Sequence, residues 1–152
     1  MLAWNRLGHQ LLAGHLDVDA PNRPADRPNL TRMLFLDPHY RDLCLRWPDE
    51  AARAVASPRV VAGRRADDRE LAGLIGEPTM NSPEFASLWA RHPVATRVSG
   101  TKYFRHPEVG EFAAQFEALL VADDSGQRVP MYSAAPGSAA EAALELLRRS
   151  GS

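Results

Sequence analysis

The stretch from Ser82 to Leu120 changes its hydrophobic period from that of a helix to that of a strand, and this change limits what the chain can fold into. Phe85, Leu88 and Trp89 recur at spacings that place them on one face of a helix. Ser82 can accept a hydrogen bond from the first turn of that helix and so act as its N-cap. The pattern therefore predicts a helix that begins directly after Ser82.

The second half of this stretch has the pattern of a half-buried strand. Apolar residues occupy every second position from Phe112 to Ala118, a period of two that predicts one buried and one solvated face. The turn-forming residues 123–126 then predict a hairpin, with residues 128–134 as the returning strand. Pro130 has no N–H to donate, which confines it to a sheet edge or a bulge.

The first part of the chain predicts short helices separated by prolines. Asp37-Pro38 is a helix start, Pro48 ends or bends that helix, and Pro58 breaks the one after it. A further helix is expected to end near Gly76–Pro78, and the capping box S-x-x-E of Ser138 and Glu141 predicts a last helix after the sheet. Several helices followed by an antiparallel sheet, formed mostly by the last third, predict a single α+β domain over residues 1–152.

Composition and charge exclude several classes of function. The net charge is −1 and the 18 basic residues are scattered, whereas a nucleic-acid binder shows a basic stripe. The single cysteine, Cys44, excludes an internal disulfide and a CxxC redox pair. No apolar run reaches the length that spans a bilayer, and the first residues lack a signal-peptide pattern, so the expected compartment is the cytoplasm and no membrane partner is predicted.

The sequence also lacks the motifs of the common enzyme classes. It has no G-x-S-x-G elbow and no glycine-rich phosphate loop, and its paired carboxylates fall at turns or caps. None of the five histidines forms a metal-binding helix pair, so a metal site would have to assemble from distant segments. The prediction is a non-enzymatic protein with no catalytic residue, no metal and no cofactor.

What remains is an apolar and aromatic signal spread over several elements. It fits either one filled core or a cup of helices and strands around a lipid-like ligand. In the second case a cation near the ends of these elements would meet a carboxylate head group, although each is also explained as an ordinary surface residue. The candidates are His92, Lys102 and His106, with Arg91, Arg97 and Arg105 as alternatives.

Six segments carry a resemblance to a known family. They are LAWNRL near the start, NLTRMLFLDPHYRDL at 29–43, DDRELAGLIGE at 67–77, SPEFASLWARHPV at 82–94, SGTKYFRHPEVGEF at 99–112 and DDSGQRVPMYSAAPGSAAEAALELL at 123–147. In this order they resemble the MmyB-like ligand-binding domain of bacterial helix-turn-helix transcription regulators, over almost the whole chain.

The resemblance implies a PAS-like fold, in which helices cover one face of a twisted antiparallel sheet and enclose a pocket for a fatty-acid-like ligand. It also implies an N-terminal helix-turn-helix domain that this sequence lacks, so that DNA would be a partner only through that domain. Family members carry about one more strand ahead of the LAWN segment. The truncated sheet is therefore expected to have an open edge, which tolerates Pro130 and invites pairing into a homodimer.

The leading hypothesis is a sensor domain that binds a fatty acid, and the alternative is a dimerisation or protein-interaction module with a filled core. The predicted ligand-binding residues are Phe35, Leu43, Trp47, Val55, Leu74, Phe85, Trp89, Phe112, Phe116 and Met131 for the pocket wall, with Arg91, His92 or His106 for the head group.

Overall fold

The structure is a computed structural model that describes residues 1–64, 69–91, 98–123 and 126–150, with the backbone alone described at 57–64, 70 and 71. Its elements in chain order are α1 (Arg6–Ala13), α2 (Leu30–Leu36), α3 (Pro38–Leu43), α4 (Trp47–Arg64), α5 (Arg69–Asn81), α6 (Pro83–Arg91), β1 (Ser99–His106), β2 (Gly110–Leu120), β3 (Arg128–Ser133) and α7 (Ala139–Ser150). A short 3₁₀ turn spans Ala20–Asn22. This order confirms the predicted α+β class.

The three strands form an antiparallel sheet in the order β1-β2-β3. Phe104 pairs with Phe112 across β1 and β2, and Phe116 pairs with Tyr132 across β2 and β3. Burial alternates along β2 as predicted, and α3 and α7 pack against the sheet. Helices over one face of an antiparallel sheet are compatible with a PAS-like fold.

Pro130 lies on β3, which is an edge strand among the residues that the structure describes. It pairs with Ala118 of β2 on one side only, which agrees with the expectation that an open edge accommodates a residue without an N–H. Met131 pairs with Glu117, so both side chains lie on the outer face of the sheet, away from α3 and α7.

Side-chain caps begin several helices where the sequence predicts them. Asp37 accepts a hydrogen bond from the amide of His39 at 2.9 Å. Ser82 accepts one from the amide of Phe85 at 3.2 Å. At the start of α7, Ser138 accepts one from the amide of Glu141 at 3.1 Å. These bonds satisfy amides that have no partner within their own helix.

Three predicted helix boundaries at prolines are wrong. Pro48 lies in the first turn of α4 instead of ending α3, and α4 continues through position 58 to Arg64. Pro78 lies inside α5 and is less than 2 % exposed. Close packing of its ring offsets the missing backbone hydrogen bond, so the local penalty of a proline does not decide where this helix ends.

The early end of α3 has a cause in the sheet. Cys44 leaves the helix in an extended conformation and forms a bridge with Phe104. The next amide, of Leu45, donates to the carbonyl of Tyr103 at 3.1 Å. The chain between α3 and α4 therefore covers part of the free edge of β1. Because this contact ends α3 early, Trp47 belongs to the next helix, α4.

The core lies between the helices and the inner face of the sheet. Its buried side chains include Leu11, Met33, Phe35, Leu43, Val55, Phe85, Phe104, Phe112 and Leu147. None of the helices within the described ranges combines the length and the apolar character that a membrane span would need.

Candidate functional site

A cleft of about 380 Å³ opens between the start of α4 and the length of α6. Apolar side chains make up most of its wall. It is lined by Trp47, Pro48, Ala51, Pro83, Glu84, Ser87, Leu88 and Arg91. Two of these, Trp47 and Arg91, are among the residues predicted from the sequence to bind a ligand.

A series of aromatic rings lies behind the cleft. The ring of Phe35 meets Trp47 edge-on with centroids 5.6 Å apart, and it meets Phe85 edge-on at 5.0 Å. Phe85 stacks with Trp89 at 5.8 Å. The indole N–H of Trp47 donates to the carbonyl of Leu34 at 2.8 Å, which fixes the ring at the wall. Four predicted site residues thus come together in one rigid aromatic layer.

The two ends of the cleft differ in charge. At the N-terminal end of α6, the guanidinium of Arg41 lies 4.0 Å from the ring centre of Trp47 and pairs with Glu84 at 3.1 Å. The pKa of Glu84 is lowered by its own backbone amide, by Arg41 and by the hydroxyl of Ser82. At the other end Arg91 is exposed, and none of the described carboxylates lies within ion-pair distance of it. Among the described residues that line this cleft, Arg91 is therefore the cation available to meet an anionic group.

A second polar feature lies inside the core. Lys102 is only 6 % exposed, and its ammonium donates to the hydroxyl of Tyr40 at 3.2 Å and lies 3.7 Å from the carboxylate of Glu50. Burial alone would lower the pKa of Lys102, but the neighbouring acidic groups, chiefly Tyr40 and Tyr132, outweigh it and raise that pKa. Burial also raises the pKa of Tyr40. The charge of the Lys102 ammonium is therefore balanced by Glu50, and it is not available to bind a ligand.

A second cleft, of about 470 Å³, opens between the end of α1, α3 and the turn between β1 and β2. Leu43 and His106 line it. The Nε2 atom of His106 bonds to the carbonyl of Gln10 at 3.0 Å, and its Nδ1 accepts from the amide of Glu108 at 3.2 Å. Both ring nitrogens are therefore engaged by the protein itself.

The structure separates the predicted site residues into groups. Phe35, Trp47, Phe85, Trp89 and Arg91 lie at or directly behind the α4–α6 cleft. Val55, Phe112 and Phe116 lie in the core or on the inner face of the sheet, and Leu43 and His106 line the second cleft.

Three predicted residues lie elsewhere or are not described. Leu74 is 45 % exposed on α5, and Met131 is 43 % exposed on the outer face of the sheet. His92, like the alternative Arg97, lies outside the described residues. Sequence reasoning missed Leu88 and Ser87 as wall residues, although Leu88 belongs to the same helical stripe as Phe85.

A sequence profile of one protein family, described as MmyB-like transcription regulator ligand binding domain, matches residues 1–147 of the chain. Comparisons with curated proteins and with solved structures gave no match.

Proposed function

Since the chain belongs to the family of MmyB-like transcription regulator ligand-binding domains, we propose that it senses a fatty-acid-like molecule bound in the α4–α6 cleft. The observation that carries this proposal is an apolar cleft with Arg91 at its end, a cation with no ion-pair partner among the described residues, in a family of ligand-binding domains of transcription regulators. No enzymatic step is proposed, because binding alone can shift the population of two conformations.

The size and lining of the cleft support an acyl chain as the ligand. Its volume of about 380 Å³ exceeds the roughly 300 Å³ at which small-molecule sites begin. Full burial of about ten methylenes at ~0.8 kcal/mol each would give roughly 8 kcal/mol before the costs of ordering the ligand, and an open cleft that leaves part of the acyl chain in water gives less. We therefore expect a dissociation constant near the micromolar range.

Arg91 is the proposed partner of the carboxylate head group. A guanidinium and a carboxylate form two parallel charge-assisted hydrogen bonds, the strongest polar contact available to an exposed site. Of the other predicted cations, His106 has both ring nitrogens bonded within the protein. The indole and phenyl rings behind the cleft would pack against one side of the acyl chain of the ligand without enclosing it.

The output of this sensor is proposed to pass to a helix-turn-helix DNA-binding domain of the same regulator, acting in the cytoplasm. The family description supports this, because it assigns the domain to transcription regulators. DNA contact by the chain itself is not part of the proposal, since its net charge is −1.

The test is a binding titration with a saturated fatty acid and with the matching fatty alcohol, followed by tryptophan fluorescence. Wild type should bind the acid about tenfold more tightly than the alcohol, and Arg91→Ala should abolish that preference. Ser87→Trp, which adds bulk at an exposed wall position, should weaken both ligands. Arg128→Ala removes an exposed arginine on β3 and serves as the matched control. Binding that is absent in wild type, or equal in wild type and Ser87→Trp, would contradict the proposal.

The alternative function is a protein-interaction module, and one surface favours it. Leu119, Val129 and Met131 expose apolar side chains together on the outer face of β2 and β3. Such a patch is typical of an interface. Sedimentation over a hundredfold range of protein concentration distinguishes the two functions: a ligand sensor keeps one mass unless ligand is added, whereas an association module changes mass with concentration alone.

A further inference from the structure

His15, Asp37 and His39 come together where the end of α1 meets the start of α3. His15 follows α1, Asp37 lies between α2 and α3, and His39 lies in the first turn of α3. The Nε2 atom of His15 is 2.6 Å from Oδ2 of Asp37, and the Nδ1 atom of His39 is 3.4 Å from Oδ1. The two imidazole rings are stacked with their centroids 4.6 Å apart. One carboxylate therefore faces two imidazole nitrogens.

We propose that His15, Asp37 and His39 form a binding site for a divalent transition-metal ion of the zinc class. Two imidazole nitrogens and one carboxylate oxygen are a donor set that such ions prefer, and three protein ligands leave a further position for water. One potential ligand atom from each residue lies within 4.8 Å of the others. The sequence gives no motif for this site, because its ligands come from separate segments.

The distances between the ligand atoms are close to those of a metal site, but the two stacked rings are nearly parallel, so the exposed ring of His39 would have to rotate for its lone pair to meet the same ion as that of His15. Ligand atoms about 2.0–2.2 Å from a tetrahedral zinc ion lie roughly 3.3 Å from one another. The contact of His39 with Asp37 already has this length, while that of His15 with Asp37 is shorter because a hydrogen bond occupies it. The ion would take the place of the proton between His15 and Asp37, this proton would be released to solvent, and the negative charge of the carboxylate would then compensate that of the metal.

The orientation of the Asp37 side chain suits this role. Its Oδ1 atom caps α3, which fixes the carboxylate and leaves Oδ2 directed at His15. Both histidines line the second cleft, so the remaining coordination position is open to solvent.

The site would join the end of α1 to the start of α3. In the metal-free protein these segments are connected here by the hydrogen bond between His15 and Asp37 and by the stacking of His15 on His39. An ion held by all three residues would therefore stabilise the folded state in proportion to its affinity and concentration.

The experiment is a calorimetric titration of EDTA-treated protein with Zn²⁺, with Co²⁺ absorption as a spectroscopic readout of imidazole coordination. Wild type should bind one ion, and His39→Ala should bind it about tenfold or more weakly. The side chain of His39 is 73 % exposed, so this variant should remain folded. His15→Gln provides a second loss of one ligand, and circular dichroism without metal checks the fold of both.

Asp42→Asn is the matched control, because Asp42 lines the same cleft but is not among the three ligands. It should bind Zn²⁺ as wild type does. Absence of binding to wild type would overturn the proposal. So would binding that survives His39→Ala unchanged, or binding that Asp42→Asn weakens as much as His39→Ala does.

Discussion

Lys102 keeps a charged ammonium inside the core because groups from two helices reach it. Tyr40 of α3 accepts its hydrogen bond, and Glu50 in the first turn of α4 supplies the opposite charge. Glu50 also pairs with Arg53 one turn later. The aromatic rings of Tyr40, Phe104 and Tyr132 lie within 6 Å of the ammonium and add cation–π attraction. The sheet and the helices are thus joined by a polar contact as well as by apolar packing.

Removing either charge of this pair should destabilise the protein by unequal amounts. Glu50→Gln leaves a buried ammonium without its counter-charge, so we expect a loss of about 3–5 kcal/mol in the free energy of unfolding. Lys102→Met should cost less, about 2–3 kcal/mol, since Glu50 keeps Arg53 as a partner. The double variant should lose less than the sum. Urea unfolding of all four proteins measures the coupling, and strict additivity would show that the pair does not interact.

The same cluster predicts a loss of stability in alkali. The pKa values of Tyr40 and Lys102 are raised in the folded protein, so between the unfolded and folded values the folded state holds more protons than the unfolded chain. Stability is then fully present below about pH 10 and falls as the pH rises further. Tyr40→Phe should make this fall shallower. Tyr103→Phe, on the outer face of β1, is the control. Urea unfolding at several pH values checks it, and equal slopes in both variants would contradict it.

At the scale of single elements, the N-cap of α6 should matter more than that of α7. Ser82 is buried, and its hydroxyl both accepts from Phe85 and donates to Glu84. Ser138 is half-buried and serves chiefly as a cap. We expect Ser82→Ala to cost about 2 kcal/mol and Ser138→Ala about 1 kcal/mol. Chemical denaturation of the two variants measures the difference, and a larger loss for Ser138→Ala would refute this order.

Those features of the fold that depend on neighbours in sequence could be predicted. The caps at Asp37, Ser82 and Ser138 and the alternation along β2 involve residues within a few positions of each other. The pairing of β2 with β3 was likewise predicted from the turn-forming residues between them, of which 124 and 125 lie outside the described residues. Local physics sufficed for all of them.

Features that depend on distant contacts could not be predicted. Pro78 stays inside α5 because its ring is buried, and α3 ends early because Cys44 meets Phe104 across 60 positions of sequence. The same limit applies to the candidate site. The aromatic stripe of α6 was visible in the sequence, but its connection to Trp47 through the ring of Phe35 required the fold.

For the whole molecule, the two clefts lie on different combinations of elements. The first involves α4 and α6, and the second involves α1, α3 and the turn between β1 and β2. The helix α3 lies near both, since Arg41 borders the first and His39 lines the second. A ligand in either cleft would therefore lie next to α3. This helix also contains Tyr40, which contacts Lys102 on the inner face of the sheet.

Ligand binding should stabilise the whole domain in a way that association would not. A fatty acid at a hundred times its dissociation constant should raise the free energy of unfolding by about 2.7 kcal/mol. For a domain of this size that corresponds to a rise of roughly 5–11 °C in Tm. Thermal unfolding at two protein concentrations, with and without the fatty acid, provides the measurement.

The two concentrations separate the candidate functions. A sensor of a small ligand keeps its Tm when the protein is diluted and raises it when ligand is added, because only the ligand binds the folded state. A dimerisation module does the reverse, because its partner is a second copy whose concentration falls on dilution. If Tm changes with protein concentration and does not change when the fatty acid is added, the sensor function is contradicted and the dimerisation function is supported. The first residues to mutate would then be those of the exposed apolar face, Leu119, Val129 and Met131.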